Sequence, residues 1–180
     1  MLTGDKMQTA QNIGKTCGLI RSGMIIECCE VKRKATKEDA TSFLQTDSEC
    51  FKEVEARLNE IKDSFAANTS QLPCVVIDGG TLRYIIRNLD EYGDVYLEKI
   101  KEFGITEEYI LSIKDLFLDI SSKCRTVICC RADPLQKANV VRSMKQKYNT
   151  VTLSVGDGAN DVSMIMEANI GVGIYGEEGM

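Results

Sequence analysis

The stretch TLSVGDGANDVSMI, residues 152–165, places a glycine-flanked aspartate directly after an apolar run. Asn160 and Asp161 follow Asp157 within one helical turn, and further apolar residues come next. A loop that only turns the chain needs one glycine and one Asx residue. The pattern therefore predicts a buried strand that ends in a polar loop, followed by a helix that begins near Ala159.

Strand and helix patterns alternate along the rest of the chain. Apolar runs predict a strand stub at 1–2 and strands at 24–28, 74–77, 126–130, 151–155 and 170–174. Helical spacing of apolar residues predicts helices at 7–17, 51–65 and 109–120, and Asp133 with Pro134 predicts the capped start of another helix. This alternation implies an α/β, Rossmann-like fold, with a parallel sheet and helices on both of its faces.

The region between the first two helices has a different character. Residues 32–48 are polar and charged, and we expect them to form an exposed connection. Thr46 and Glu49 have the spacing of a capping box, which predicts that the next helix starts there. We treat 1–180 as one domain and expect a family-specific insertion at about 28–72.

Composition excludes several classes of function. The net charge is −5 without a basic block, so we expect no nucleic-acid partner. The sequence has no run of 18 apolar residues, so we expect no direct membrane insertion by this chain. Eight cysteines without a secretory signal indicate reduced thiols. The absence of histidine excludes a His-dependent hydrolase.

Three polar clusters follow predicted strands: Thr3-Gly4-Asp5 after the stub, Arg131 and Lys137 after 126–130, and Asp157, Asn160 and Asp161 after 151–155. Ligands of open α/β sheets bind beyond the carboxyl ends of the strands, so we expect these clusters to converge.

The residue types in these clusters suit a phosphate with a divalent metal. Asp157 is the predicted Mg²⁺ ligand, and Asp161, a second candidate ligand, is assigned to orient the ligand shell together with Asn160. Thr3 and Gly4 can donate to phosphate oxygens. Lys137 opposes the helix dipole, which favours an anion at that position. The set is typical of phosphoryl transfer.

Two other motifs imitate functional sites. "IGKT", residues 13–16, matches the second half of a P-loop, but Thr9 stands where the first glycine belongs. "VVIDGGTL", residues 75–82, imitates a strand with a nucleophilic aspartate. Asp78 has no second carboxylate or lysine beside it in the sequence, and we interpret it as part of a tight turn.

Three strings together identify a resemblance: "LTGDKMQTAQNIG" at 2–14, "CCRADPLQKANVV" at 129–141 and "VGDGANDVSMIMEANIGVGIYGEEGM" at 155–180. The chain resembles the phosphorylation domain of P-type ATPases, which has a haloacid dehalogenase-like fold, and within them the phospholipid-translocating (flippase) subclass. The resemblance is weakest over 30–70, and Gln8 stands where the family usually has glutamate.

The resemblance implies a role for each site residue. Thr3 and Gly4 match the phosphate-binding pair, Asp5 and Arg131 lie near the nucleotide, and Lys137 neutralises the transferred phosphoryl group. Asp157 matches the Mg²⁺ ligand, with Asn160 and Asp161 in support. ATP and Mg²⁺ are the implied cofactors. The implied partners are a phospholipid, bound by an absent membrane domain, and an accessory subunit.

The family's phosphorylated aspartate lies in a D-K-T-G-T motif, and this string does not occur here. We therefore expect 1–180 to be the C-terminal part of a phosphorylation domain, without the strand that carries the nucleophile. The parent would be an integral membrane protein with this part on the cytoplasmic side, and the isolated chain would be inactive. Two alternatives stay open: a soluble Mg-dependent phosphatase of the same superfamily with Asp78 as nucleophile, or a non-catalytic regulatory module.

Overall fold

Strands and helices alternate in the computed structural model, which describes residues 1–33 and 40–175. The strands are β1 (Met24–Cys29), β2 (Leu72–Asp78), β3 (Thr126–Cys130), β4 (Leu153–Gly156) and β5 (Ile170–Gly173). The α-helices are α1 (Met7–Thr16), α2 (Ala40–Ala67), α3 (Gly79–Leu82), α4 (Asp94–Lys101), α5 (Glu107–Lys123), α6 (Pro134–Tyr148) and α7 (Val162–Glu167). Short 3₁₀ helices occur at Leu89–Glu91 and Ala159–Asp161.

The larger sheet contains β1, β2 and β3 in that order, and all of its strand pairs are parallel. Leu2 forms an isolated parallel bridge with Cys129, so the predicted strand stub lies along the free edge of β3. Helices connect the successive parallel strands, as parallel pairing requires. The predicted α/β class is confirmed.

Helices cover this sheet on both faces, as predicted. Val75 and Ile77 of β2 face α2 and α5, which supply most of the main core, including the fully buried Phe51. The alternate residues Cys74 and Val76 face α1 in a smaller core. Because side chains alternate between the faces of a strand, a strand that is covered on both sides reads as a continuous apolar run.

The second sheet contains β4 and β5, which also pair in parallel. All four residues of β5 are exposed, and two of the four residues of β4 are exposed. In the described residues this sheet is not hydrogen-bonded to the larger one. The parallel strands of the described residues therefore form two sheets. Helix α7 packs against α6 and so brings the second sheet to the first.

Two predictions in the first half of the chain are wrong. Residues 40–48 are not an exposed connection but the first part of α2, and residues 34–39 lie outside the described residues. The helix therefore does not start at Thr46, and the capping box predicted with Glu49 lies inside it. Asp47 is buried, accepts hydrogen bonds from the hydroxyls of Tyr84 and Tyr96, and lies 3.1 Å from the Arg33 guanidinium. These contacts compensate for the burial of its charge.

Other local signals are confirmed. Asp133 caps α6 in a capping box with Gln136, and Pro134 occupies the first helical position. Helix α1 ends before Gly18, whose φ of +76° suits glycine. The helix α4 was not predicted, because residues 94–101 have only a short apolar face.

The eight cysteines are all free thiols. Burial raises the pKa of Cys29 and of Cys129 to about 12, so these thiols stay protonated at neutral pH. A protonated, buried thiol is a poor nucleophile and behaves as a small apolar side chain.

Candidate functional site

The loop after Leu2 is bonded to the loop after β3. The Arg131 amide donates to the Asp5 carbonyl oxygen at 2.9 Å, and the Ala132 amide donates to the Thr3 carbonyl oxygen at 3.0 Å. The Thr3 hydroxyl donates to the Asp5 carboxylate at 2.8 Å. Two of the three predicted clusters therefore lie side by side at the carboxyl end of the larger sheet.

Lys137 connects this edge to the third cluster. It lies in the first turn of α6, is 6% exposed, and places its ammonium 2.8 Å from the carboxylate of Asp161. The two side chains are 8% and 14% exposed, so solvent screens their attraction only weakly. A buried ammonium group needs such a partner to offset the hydration that it loses.

The backbone of the polar loop fits closely around Asp161. A Cβ atom on Gly156 would lie 2.4 Å from the Cβ of Asp161, which is closer than two carbon atoms can approach. Only glycine therefore leaves room for Asp161 to reach Lys137. This explains why the strand ends in glycine immediately before the Asp157 loop.

Asp157 and Asn160 are exposed, and neither receives a hydrogen bond or ion pair from another described residue. Within residues 1–33 and 40–175, no group of three or more acidic, cysteine or histidine side chains could hold a metal ion. Any divalent ion at Asp157 would therefore take most of its ligands from outside the described side chains.

The structure also contains an ion pair that the sequence did not predict. Asp78, at the end of β2, lies 3.4 Å from the guanidinium of Arg131. Its other carboxylate oxygen accepts a hydrogen bond from the Gly80 amide at 2.9 Å and caps α3. The turn interpretation of Asp78 is correct in outline, but the turn is helical. Only one sequence signal could have suggested this pair, namely that a carboxylate and an arginine stand at the ends of neighbouring strands.

A further cluster holds α7 on α6. Arg142 donates to the carboxylate of Glu167 at 2.7 Å, and the Lys145 ammonium donates to the Glu167 carbonyl oxygen at 2.6 Å. The hydrogen bonds from Arg142 hold the pKa of Glu167 below its ordinary value. These bonds fix the helix that follows the Asp157 loop. The cluster was not predicted, because it depends on which faces of the two helices meet.

The "IGKT" motif is excluded as a phosphate loop by its conformation. Ile13 and Thr16 lie inside helix α1, and the Thr16 hydroxyl donates to the Asn12 carbonyl oxygen at 3.0 Å. A phosphate-binding loop needs free backbone amides in front of a helix, and residues within a helix do not offer them.

Similar proteins were found among curated sequences, whereas no protein-family model matches the chain. The chain is 38% identical over 188 residues to phospholipid-transporting ATPase DNF1 of Chaetomium thermophilum. This alignment covers 99% of this chain and 10% of that protein. It is 36% identical to probable phospholipid-transporting ATPase 11 of Arabidopsis thaliana, over 100% of this chain and 14% of that protein. It is also 36% identical to phospholipid-transporting ATPase VD of Homo sapiens, over 100% of this chain and 11% of that protein.

The coverage differs strongly between the two sides of each comparison. The similarity extends over nearly every residue of this chain, but the chain spans only 10% to 14% of the length of these relatives. Similarity at this level over a whole chain indicates common ancestry with one segment of the longer proteins.

Proposed function

We propose, on the premise that this chain is homologous over its whole length to one segment of the phospholipid-transporting ATPases, that it is the phosphoryl-handling part of an ATP-driven phospholipid transporter. The observation that carries the proposal is the buried ion pair between Lys137 and Asp161, directly after the Asp157 loop. ATP and Mg²⁺ are the cofactors in this proposal. The chain lies on the cytoplasmic side of a membrane, within an integral membrane protein.

Lys137 is assigned the role of neutralising the transferred phosphoryl group. Its ammonium lies at the N-terminal end of α6, where the helix dipole also favours negative charge. An anion placed there interacts with the dipole and the ammonium at once, in a site with little solvent. Asp161 accepts a hydrogen bond from the Lys137 ammonium and so orients it while no phosphoryl group is bound.

Asp157 is the residue that would hold Mg²⁺. Its carboxylate is exposed at the end of β4 and is unpaired among the described residues. Mg²⁺ commonly takes one or two protein carboxylates together with phosphate oxygens and waters, so this single free carboxylate fits the ion. When bound, Mg²⁺ neutralises phosphate charge and orients the reacting oxygens. Asn160 and Asp161 orient the loop that carries Asp157.

The Thr3–Asp5 loop is assigned to phosphate and nucleotide binding. The Thr3 hydroxyl donates to Asp5 in this structure, and a rotation about one bond would direct the same proton to a phosphate oxygen. Gly4 is exposed and has open space around its Cα, so a phosphate oxygen can approach its amide. Arg131, bonded to the same loop, and Asp5 are assigned to the nucleotide.

The proposal takes its nucleophile from outside residues 1–180. An aspartate carboxylate there attacks the γ-phosphorus, ADP leaves, and water later cleaves the acyl phosphate. The exposure of Leu153 (62%) and Val155 (47%) on β4 supports this arrangement, since further parts of a longer protein would pack on this face of the sheet. Among the described residues β4 pairs only with β5, so its other edge is free to pair.

Transport across the bilayer is likewise assigned to other parts of the protein. Among the described residues, no helix combines the length and the apolar character that crossing a membrane requires. In this proposal the phospholipid and any accessory subunit bind other parts of the protein. The chain contributes to the chemical step that drives the movement of the phospholipid.

The surroundings of Asp78 argue against the alternative hypothesis of a phosphatase with Asp78 as its nucleophile. That carboxylate is 7% exposed, accepts the Gly80 amide and pairs with Arg131. A nucleophilic carboxylate must present a free oxygen to the substrate, and both oxygens here already have partners.

The proposal is tested by Lys137→Met in the longer ATPase that contains this chain. We expect ATP hydrolysis to fall by on the order of 10²–10³, the usual result of removing one group that stabilises transition-state charge. Lys147→Met is the matched control, because Lys147 belongs to the same helix but pairs with the exposed Asp115 and Asp119. Equal activity of the two variants, with both folded, would refute the assigned role of Lys137.

A further inference from the structure

We infer that Asp78 and Gly79 are positioning residues for Arg131, an inference that rests on the proposed nucleotide-binding role of Arg131. The starting observation is the backbone of Arg131, whose φ of +50° lies in the left-handed region. Residues other than glycine adopt this conformation rarely and at an energetic cost, and such residues cluster at functional sites. The surrounding contacts must therefore hold Arg131 in place.

Two neighbouring loops hold the backbone. On one side, the Arg131 amide donates to the Asp5 carbonyl oxygen at 2.9 Å. On the other side, Gly79 lies so close that a Cβ atom there would be 2.1 Å from the carbonyl oxygen of Arg131. No residue except glycine fits at this position. The Gln136 side-chain amide donates to the Gly79 carbonyl oxygen at 2.8 Å and so fixes Gly79 itself.

Asp78 acts on the side chain of Arg131. One carboxylate oxygen accepts the Gly80 amide, which sets the plane of the carboxylate, and the other oxygen lies 3.4 Å from the Arg131 guanidinium. Because Asp78 is only 7% exposed, its orientation is fixed by the protein. One carboxylate therefore performs two functions, since it caps α3 and directs Arg131.

The guanidinium keeps donors available for a ligand. The Arg131 side chain is 49% exposed, and it lines a cavity of 620 Å³ together with two further arginines and two acidic residues, which are Arg83, Arg87, Glu91 and Asp133. Guanidinium groups bind phosphate and other oxygen anions through paired N–H donors. The contact with Asp78 uses one edge of the Arg131 fork and leaves the remaining donors for the nucleotide. The Asp-Gly pair at 78–79 thus connects β2 to the nucleotide site.

The test is a double-mutant cycle in the longer ATPase, with Asp78→Asn and Arg131→Ala. Asparagine still accepts the Gly80 amide and caps helices well, so Asp78→Asn removes only the charge that directs Arg131. We expect Asp78→Asn to raise the KM for ATP on the order of 3- to 10-fold, the size of effect typical of two side chains in contact. The kcat should stay within about twofold of the wild-type value. In the Arg131→Ala background, Asp78→Asn should have no additional effect on KM.

Each other outcome rejects a defined part of the account. If Arg131→Ala leaves the KM unchanged, the nucleotide role of Arg131 fails and the inference fails with it. If Arg131→Ala raises the KM but Asp78→Asn does not, or if the two effects add independently, only the inference fails. Asp90→Asn, at an exposed site, controls for loss of charge. Asp78→Ser, another capping residue, replaces Asp78→Asn if the asparagine variant does not fold.

Discussion

The two parallel sheets differ most in how well their apolar residues are covered. In the larger sheet the last five residues of β2 are buried, whereas all four residues of β5 in the second sheet are exposed. Covered apolar surface stabilises a fold, so the larger sheet supplies most of the stability. The second sheet carries Asp157 and Asp161, and it depends on α6 for its position. The acidic loop of the candidate site therefore follows the less well covered sheet, whereas Thr3 and Arg131 lie at the end of the larger one.

The largest expected effect on stability concerns the packing of α2 against the larger sheet. Phe51 is fully buried and meets Tyr84 edge to face, with ring centroids 5.0 Å apart. We expect Phe51→Ala to lower the free energy of unfolding by about 3–5 kcal/mol. Urea unfolding of the isolated chain measures this change.

Phe43 on the same helix provides the matched control. It is 38% exposed and lies under the Arg33 guanidinium. Phe43→Ala should cost about 1 kcal/mol or less, because its ring is already in contact with water. A loss at Phe51 as small as the loss at Phe43 would mean that α2 is a peripheral insertion and not part of the core.

A second pair of variants compares the sheets directly. Val76 of β2 is fully buried, whereas Val155 of β4 is 47% exposed. The same change, valine to alanine, should cost about 2 kcal/mol at Val76, since two buried methyl groups are lost. At Val155 we expect about 0.5 kcal/mol or less, again by urea unfolding.

The comparison would be overturned by a large loss at Val155. Such a result in the isolated chain would show that β4 is covered there, for example by a second copy of the chain. In the proposed longer protein, by contrast, the Val155 variant should become as costly as the Val76 variant if a further element packs on this face of β4.

A smaller effect is expected from pH, and it should be largest in the second sheet. Arg142 lowers the pKa of Glu167, so the folded pKa lies below the unfolded one. The resulting stabilisation is present above about pH 4.5 and is lost as the pH falls through the lower folded value. We expect on the order of 1 kcal/mol, because Arg142 is partly exposed to solvent.

Hydrogen exchange of the amides in β4 and β5 measures this effect between pH 3 and 6. Their protection should fall on acidification, while that of β2 should change less. Glu167→Gln should show low protection across this range and lose the pH dependence. If Glu167→Gln retains the wild-type pH dependence, another group is responsible.

Local patterns in the sequence predicted much of this fold. Apolar runs located the strands, and Asp133 with Pro134 located the start of α6, because these signals depend on neighbouring residues only. The predicted start of α2 was wrong because Asp47 is polar and yet buried. The Tyr84 hydroxyl, which donates a hydrogen bond to the buried Asp47 carboxylate, comes from a distant segment of the chain.

The same distinction applies to the candidate site. The residue types around Asp157 suggested metal and phosphate chemistry from the sequence alone. The partners that hold the site were not predicted: Arg131 meets Asp78 across 53 positions, and Arg142 meets Glu167 across 25. Contacts of this kind depend on tertiary packing, and a single sequence gives no direct signal for them.

The central claim is that this chain handles a phosphoryl group but receives its nucleophile from elsewhere, and labelling with γ-³²P-ATP and Mg²⁺ tests it most directly. The isolated chain and the longer ATPase are incubated in parallel, quenched in acid, and mapped for hydroxylamine-sensitive phosphate. We predict label in the longer protein on an aspartate outside residues 1–180, and none on the isolated chain. Stable label on a carboxylate of the chain itself, above all on Asp78, would contradict the account.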